Sequence, residues 1–168
     1  MVGLLRTSTL AMAVALALVA GGLSGCANQV ATPSAAVGPD GLPVEPGTSR
    51  DFSINVGNTV YFTTDSWDLT PDAQQTLRNQ ATWLNQYPQY TILVEGHADE
   101  RGTREYNLAL GARRAATVRD FLTAQGINAA RMRTISYGKE RPVAVCDDIS
   151  CWSQNRRSVT QLNERAGS

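Results

Sequence analysis

The sequence predicts an α/β fold, a two-layer sandwich with helices on one face of a mixed four-stranded sheet. Two kinds of observation carry that prediction. Short runs rich in β-branched and aromatic residues, at 59–62, 90–94, 131–137 and 157–162, read as strands. Between them lie segments with apolar residues three and four apart, the period of a helix that covers a sheet, and they start and stop at Thr, Pro and Gly in capping positions.

Residues 59–62 form the first strand, and 65–68 turn the chain. Thr70 then serves as N-cap, with Pro71 at the first helical position and Asp72 complementing the helix dipole. Ala73, Leu77, Ala81 and Leu84 make the buried stripe, and Pro88 lies just past the helix end. The run 90–94 is almost uninterruptedly apolar, as suits a strand buried on both faces, and Gly96 is expected to end it. Joined through a helix, the first two strands should be parallel, in a right-handed βαβ unit.

Residues 97–104 are then a loop at the strand's carboxyl end, where open α/β sheets place ligands. Thr103 caps the second helix, whose Leu108, Gly111, Ala115, Val118 and Leu122 face the sheet, and Gly126 stops it. Residues 131–137 alternate as a third strand, 138–142 turn, 153–156 form a short helical turn, and 157–162 are a last, antiparallel strand.

Within this frame Asn107 and Arg114 sit two helical turns apart, so they project at nearly one angle with Leu110 beside them. Asp99 lies in the loop feeding that helix. A carboxylate facing a guanidinium and an amide is a socket for a small zwitterion, its ammonium on Asp99 and its carboxylate on the Arg114 fork. If Asp99 faces Arg114 without a ligand, the two should pair directly; the plainer alternative is that Asp99 pairs with Arg101 or Arg104. Replacing Asp99 or Arg114 by alanine should leave the domain folded and weaken ligand binding. His97 and Asp99 are two apart, but no second histidine, nucleophile elbow or His-Glu-x-x-His accompanies them, so no enzyme is expected. His97 is expected to fix the loop by hydrogen bonding. Trp83 and Tyr87, four apart on a helix, read as packing rather than a sugar platform.

The run Gly96-His97-Ala98-Asp99-Glu100-Arg101-Gly102-Thr103, with Glu105-Tyr106-Asn107, Leu110-Gly111 and Arg113-Arg114-Ala115, resembles the core motif of OmpA-like peptidoglycan-binding domains. Within that family the chain is most similar to the peptidoglycan-associated lipoproteins, through residues 59–62, 136–142 and 155–157 as well. The resemblance implies the OmpA-like βαβαβ-β sandwich and non-catalytic binding of the diaminopimelate side chain of the peptidoglycan stem peptide. It places Asp99 and Arg114 on the ligand's amino acid end, with Asn107, Leu110, Thr103 and Arg156 in the same site. Phe62, Thr63, Thr64 and Asp65 form another wall, although Thr63-Thr64 departs from the family's usual Gly-Phe or Asn-Phe at that turn.

The start of the chain has a different logic. Arg6 and the apolar stretch 10–20 form a secretory leader, too short for a spanning helix, which needs about 20 residues. Leu23-Ser24-Gly25-Cys26 resembles the bacterial lipobox, so residues 1–25 are a signal peptide and Cys26 is the lipidated terminus of the processed chain. Several acyl chains make such an anchor effectively permanent. Ala27, rather than an aspartate, suggests the outer membrane under the sorting rule that the resemblance invokes. Residues 26–50, rich in Pro, Gly, Ala, Ser and Thr, form a flexible tether with a typical span of about 25 to 30 Å, and 51–168 form the binding domain.

Cys146 and Cys151 read as a disulfide in an oxidising compartment; a metal site or a reactive thiol are the alternatives, and one histidine in the whole chain disfavours zinc. Fifteen basic and fifteen acidic residues leave no excess charge for nucleic acid. No cofactor is expected. The resemblance further implies TolB as chief protein partner, with TolA a second, and a role in keeping the outer membrane on the wall during division. The alternatives are a wall anchor without a Tol role and a periplasmic cell-wall hydrolase.

Overall fold

A computed structural model describes residues 37–163; the leader, the lipobox with Cys26, and residues 27–36 lie outside the described residues. A short helix α1, Ser49–Asp51, runs into a π-helical turn, Phe52–Gly57, and then β1, Thr59–Tyr61. There follow α2 (Pro71–Gln86), β2 (Thr91–His97), α3 (Arg104–Ala124), β3 (Met132–Gly138), α4 (Ile149–Asn155) and β4 (Arg157–Asn163).

Both long helices start where the side chains dictate. The Thr70 hydroxyl accepts from Ala73 N ahead of Pro71, and the Thr103 hydroxyl accepts from Tyr106 N. Gly126, at φ 93°, follows the end of α3.

The sheet order is β1-β4-β2-β3, with β2 and β3 parallel and β4 antiparallel to both β1 and β2. The expected βαβ unit of β1 and β2 is therefore split. The two strands run the same way, but β4 lies between them and takes the hydrogen bonds of both. Strand order is set by non-local pairing that no local run of residues encodes.

Gly96 does not end β2, which continues to His97. A Cβ at Gly96 would lie 1.8 Å from the carbonyl oxygen of Gly111, so the glycine is there to let α3 cross the sheet at backbone contact. The same face of the sheet carries Ile92 and Val94 of β2 and Thr160 of β4, whose hydroxyl donates to Gln80 of α2 at 2.9 Å. Helices α2 and α3 thus share one face, over a core of Leu77, Leu84, Ile92, Val94, Ala115, Val118 and Leu122.

Two further boundaries differ from expectation. Helix α4 starts at Ile149 instead of 153, because Asp148 caps it through Ser150 N at 2.7 Å. Residues 37–50 are not free tether. Val44 is 1% exposed, the Gly47 carbonyl accepts the Tyr90 hydroxyl at 2.8 Å, and Asp51 receives Gly47 N and the Trp83 indole. A buried valine and a tyrosine partner anchor what composition alone reads as linker. Trp83 and Tyr87 pack ring to ring beside Phe52 and Tyr90, as helix-edge packing.

Candidate functional site

The site is built on the loop 98–103 between β2 and α3. Its backbone is held from several sides: Ala98 N donates to Gly138 O at 2.8 Å, and Lys139 Nζ donates to the carbonyls of Glu100 and Gly102 at 3.0 and 2.7 Å. Gly102 takes the left-handed φ of 85° that the turn requires. Asn107 Nδ2 donates to Arg101 O at 2.7 Å and Thr103 O at 3.0 Å. Asn107 thus spends its donors on loop geometry and keeps its carbonyl oxygen for other partners.

Asp99, 7% exposed, is fixed at the end of this loop. Arg101 grips it with Nε on Oδ1 at 3.0 Å and Nη2 on Oδ2 at 2.8 Å, and Arg156 Nη1 approaches Oδ2 at 3.4 Å from the opposite side. Burial pushes the Asp99 carboxyl up, but the hydrogen bonds and charge of Arg101, with Arg156, outweigh it and hold the group below the ordinary aspartate range. Of the two candidate partners named from sequence, Arg101 is the one it takes. It makes no direct pair with Arg114.

Arg114 is fully buried, and its environment explains why. Its Nε donates to Ser66 O at 2.8 Å, Nη1 to His97 O at 2.8 Å and Nη2 to Thr63 O at 3.1 Å, with its guanidinium 5.1 Å from the Phe62 ring. Burial lowers its pKa to about 10, so it stays charged at neutral pH. Arg114 is the clamp that ties the loop after β1 to the end of β2. Removing it would take this donor from three carbonyls, so Arg114→Ala is expected to cost stability as well as binding, a cost the sequence alone does not anticipate. The adjacent Arg113 turns outward and lies over the Trp67 ring at 4.6 Å.

His97 also differs from expectation. It is 1% exposed, neither ring nitrogen has a hydrogen-bond partner, and its backbone carbonyl is what serves the site. Nε2 lies 3.4 Å from Glu95 Oε2, which alone would favour the imidazolium; burial, with Arg157 and Arg141 nearby, wins and lowers the pKa to about 4.

A pocket of about 250 Å³ opens beside Asp99, lined by Thr64, Asp65, Asp99, Arg101, Gly102, Tyr106, Asn107 and Leu110. Five of the ten residues assigned to the site from sequence line it. Arg114, Thr63, Phe62 and Arg156 stand behind as its frame, joined by the Arg156 Nε to Phe62 O bond at 3.1 Å; Thr103 caps α3 and does not line the pocket. Sequence reasoning missed Tyr106, whose hydroxyl donates to Asp65 Oδ1 and ties α3 to the loop after β1. Its signal in the sequence was its place in the Glu105-Tyr106-Asn107 stretch, an aromatic in a helix's first turn. Asp65 takes a φ of 55° there, the one non-glycine residue with positive φ among those described.

Next to the site, Cys146 and Cys151 are joined in a disulfide that closes the loop before α4. Asn155 reinforces that closure by accepting from Val143 N at 2.8 Å and donating to Ala144 O at 2.8 Å. Trp152 of α4 stands with its ring 4.2 Å from the Arg101 guanidinium and its indole N–H on Glu100. No described helix is long and apolar enough to cross a membrane.

Residues 61–156 match the OmpA family. The peptidoglycan-associated lipoprotein of Agrobacterium fabrum is 62% identical over 159 residues, covering 92% of this chain and 86% of that one. Its counterpart from Pseudomonas aeruginosa is 45% identical over 151 residues, covering 88% and 89%. Among solved structures, the peptidoglycan-associated lipoprotein of Burkholderia pseudomallei superposes with a TM-score of 0.62 at 44% identity, over 63% of this chain and 90% of that one. The C-terminal domain of Helicobacter pylori MotB shares the fold, with a TM-score of 0.60 at 23% identity over 65% and 86% of the two chains.

Proposed function

The chain belongs to the OmpA family and, within it, to the peptidoglycan-associated lipoproteins, and on that footing we propose that it is a wall-binding lipoprotein of the outer membrane, not an enzyme. Lipidated at Cys26, it holds the membrane to peptidoglycan without a covalent link to the wall. Its ligand is the amino acid end of diaminopimelate in the stem peptide.

One observation carries this reading: the buried, ionised carboxylate of Asp99 sits at a pocket wall among the guanidinium groups of Arg101, Arg156 and Arg114. That arrangement suits a zwitterion, whose ammonium takes Asp99 and whose carboxylate takes the surrounding positive charge, so that no net charge is buried. Asn107, Leu110, Thr64 and Asp65 provide the walls, and Arg114, Arg156, Phe62, Thr63 and Thr103 keep them in place.

Residues 37–50 pack on the domain, so that part of the expected tether belongs to the folded body. A role with the Tol proteins, TolB first and TolA second, rests on the family resemblance and belongs to the same proposal. The wall anchor without a Tol role shares the pocket, so the two readings separate only on whether TolB is bound.

Calorimetric titration of the detergent-solubilised full-length chain tests the central claim, using a stem peptide that carries diaminopimelate beside the same peptide with lysine. Preference for the first supports the reading; binding of neither overturns it. Incubation with purified peptidoglycan separates an anchor, which co-sediments and releases nothing, from a hydrolase, which solubilises the wall.

A further inference from the structure

Resting on the reading above, we propose that Arg101, carried on the face of Trp152, is an exchangeable cation that stands in for the ligand's ammonium on Asp99 and, once displaced, reads the ligand's carboxylate.

The three guanidinium groups around Asp99 are not equally free to do this. Arg114 has every nitrogen committed to a backbone carbonyl and no exposure. Arg156 is 6% exposed and bonded to Phe62 O. Arg101 alone has a side chain 41% exposed, lines the pocket, and bonds to nothing but the Asp99 carboxylate. Its two N–H groups occupy the oxygens that an incoming ammonium needs. An ammonium that takes the close positions on Asp99 therefore takes the place of Arg101.

Trp152 supplies what happens next. A guanidinium over an indole face is attracted to it whatever its hydrogen-bond partner, and the planar group can rotate on that face. Trp152 is itself placed by α4, by the Cys146–Cys151 disulfide and by its bond to Glu100, a neighbour of Asp99. Displaced from Asp99, Arg101 stays beside the pocket with its fork free for a carboxylate. The exchange is balanced in charge: one internal pair, Asp99 with Arg101, becomes two pairs with the ligand's ammonium and carboxylate. A ligand with an ammonium alone breaks the internal pair and leaves Arg101 with no partner. Selectivity for an amino acid end over a simple amine follows from that difference.

The test uses the full-length chain in detergent, titrated with the diaminopimelate and lysine stem peptides, for the native chain and for Arg101→Ala, Arg101→Lys, Trp152→Ala and Trp152→Phe. The native chain should prefer diaminopimelate. Arg101→Ala should weaken that peptide about tenfold while lysine binding holds or tightens, because Asp99 loses its internal competitor. Arg101→Lys should keep part of the preference, since a point charge replaces the fork. Trp152→Ala should lose about threefold on the diaminopimelate peptide and Trp152→Phe less. Unfolding midpoints near the native value confirm that these substitutions leave the fold alone. An Arg101→Ala protein that keeps the native ratio, or that loses both peptides equally, overturns the exchange. Failure of the native chain to bind either peptide overturns the diaminopimelate reading itself, and the exchange with it.

Discussion

Arg101 lines the pocket and Arg114 stands behind it, and although they carry the same charge, their surroundings give them opposite work. Arg114 is enclosed, with carbonyls of Thr63, Ser66 and His97 around its plane. Arg101 projects into solvent, held by one carboxylate and one aromatic face. The first is structural because its guanidinium is enclosed and each of its nitrogens already serves a backbone carbonyl. The second is available because a ligand can replace its only hydrogen-bonding side chain. Residue type and proximity to Asp99 do not separate the two; burial does, with Arg114 enclosed and Arg101 partly exposed.

The largest break in that comparison is on the buried side. Arg114→Ala should destabilise the domain by roughly 3 to 5 kcal/mol, through carbonyls left without donors and a cavity beside Phe62. Arg114→Lys should recover only part, since an ammonium cannot present the planar fork. Arg101→Ala, by contrast, removes a part-exposed pair and should leave the unfolding midpoint close to the native value. Urea unfolding of the three variants reads both halves, and equal losses for the two alanine variants would erase the distinction.

Acid provides a second contrast. His97 belongs to the buried side, since its carbonyl receives Arg114, and its imidazole is held neutral with a pKa of about 4 instead of 6.5. The unfolded chain binds a proton at this residue as pH falls through 6.5, while the folded chain does not. Stability is therefore complete above 6.5 and is lost toward pH 4, by roughly 3 kcal/mol. Asp99, lowered below the ordinary aspartate value, keeps its charge through that window, so its stabilising pairs give way only at still lower pH. Urea unfolding at pH 7 and pH 4 should show the first loss, and His97→Gln should remove most of it. A native protein equally stable at both values would place the imidazole in contact with water or a charge partner.

Much of the frame was legible because it is local. Thr70 with Pro71, and Thr103 ahead of Tyr106, fix their helix starts within four residues of chain. Asp99, Asn107 and Leu110 were legible as neighbours because one loop and two helical turns relate them. What stayed hidden depends on distant backbone. Gly96 reads as a strand end until Gly111 is found against it, and β4 enters between β1 and β2 on pairing alone. Helical angle put Arg114 beside Asn107, but it cannot say that three carbonyls from two other segments would absorb the guanidinium. Val44 and Gly47 similarly look like linker until Tyr90 is placed over them.

The smallest expected effect sharpens the exposed side. The disulfide closes a ring across a sequence separation of 5, so its loss frees little chain and should cost no more than about 2 kcal/mol. Asn155 still bridges the same loop through Val143 N and Ala144 O, which holds α4 near its place after reduction. The consequence for Trp152 is larger than for the fold, because the ring sits next to Cys151 and loses its anchored neighbour. Cys146→Ser with Cys151→Ser should therefore shift the unfolding midpoint slightly while Trp152 fluorescence reports a wetter, more mobile ring. If fluorescence is unchanged, Glu100 and Arg101 suffice to hold the indole, and the disulfide serves the loop rather than the pocket.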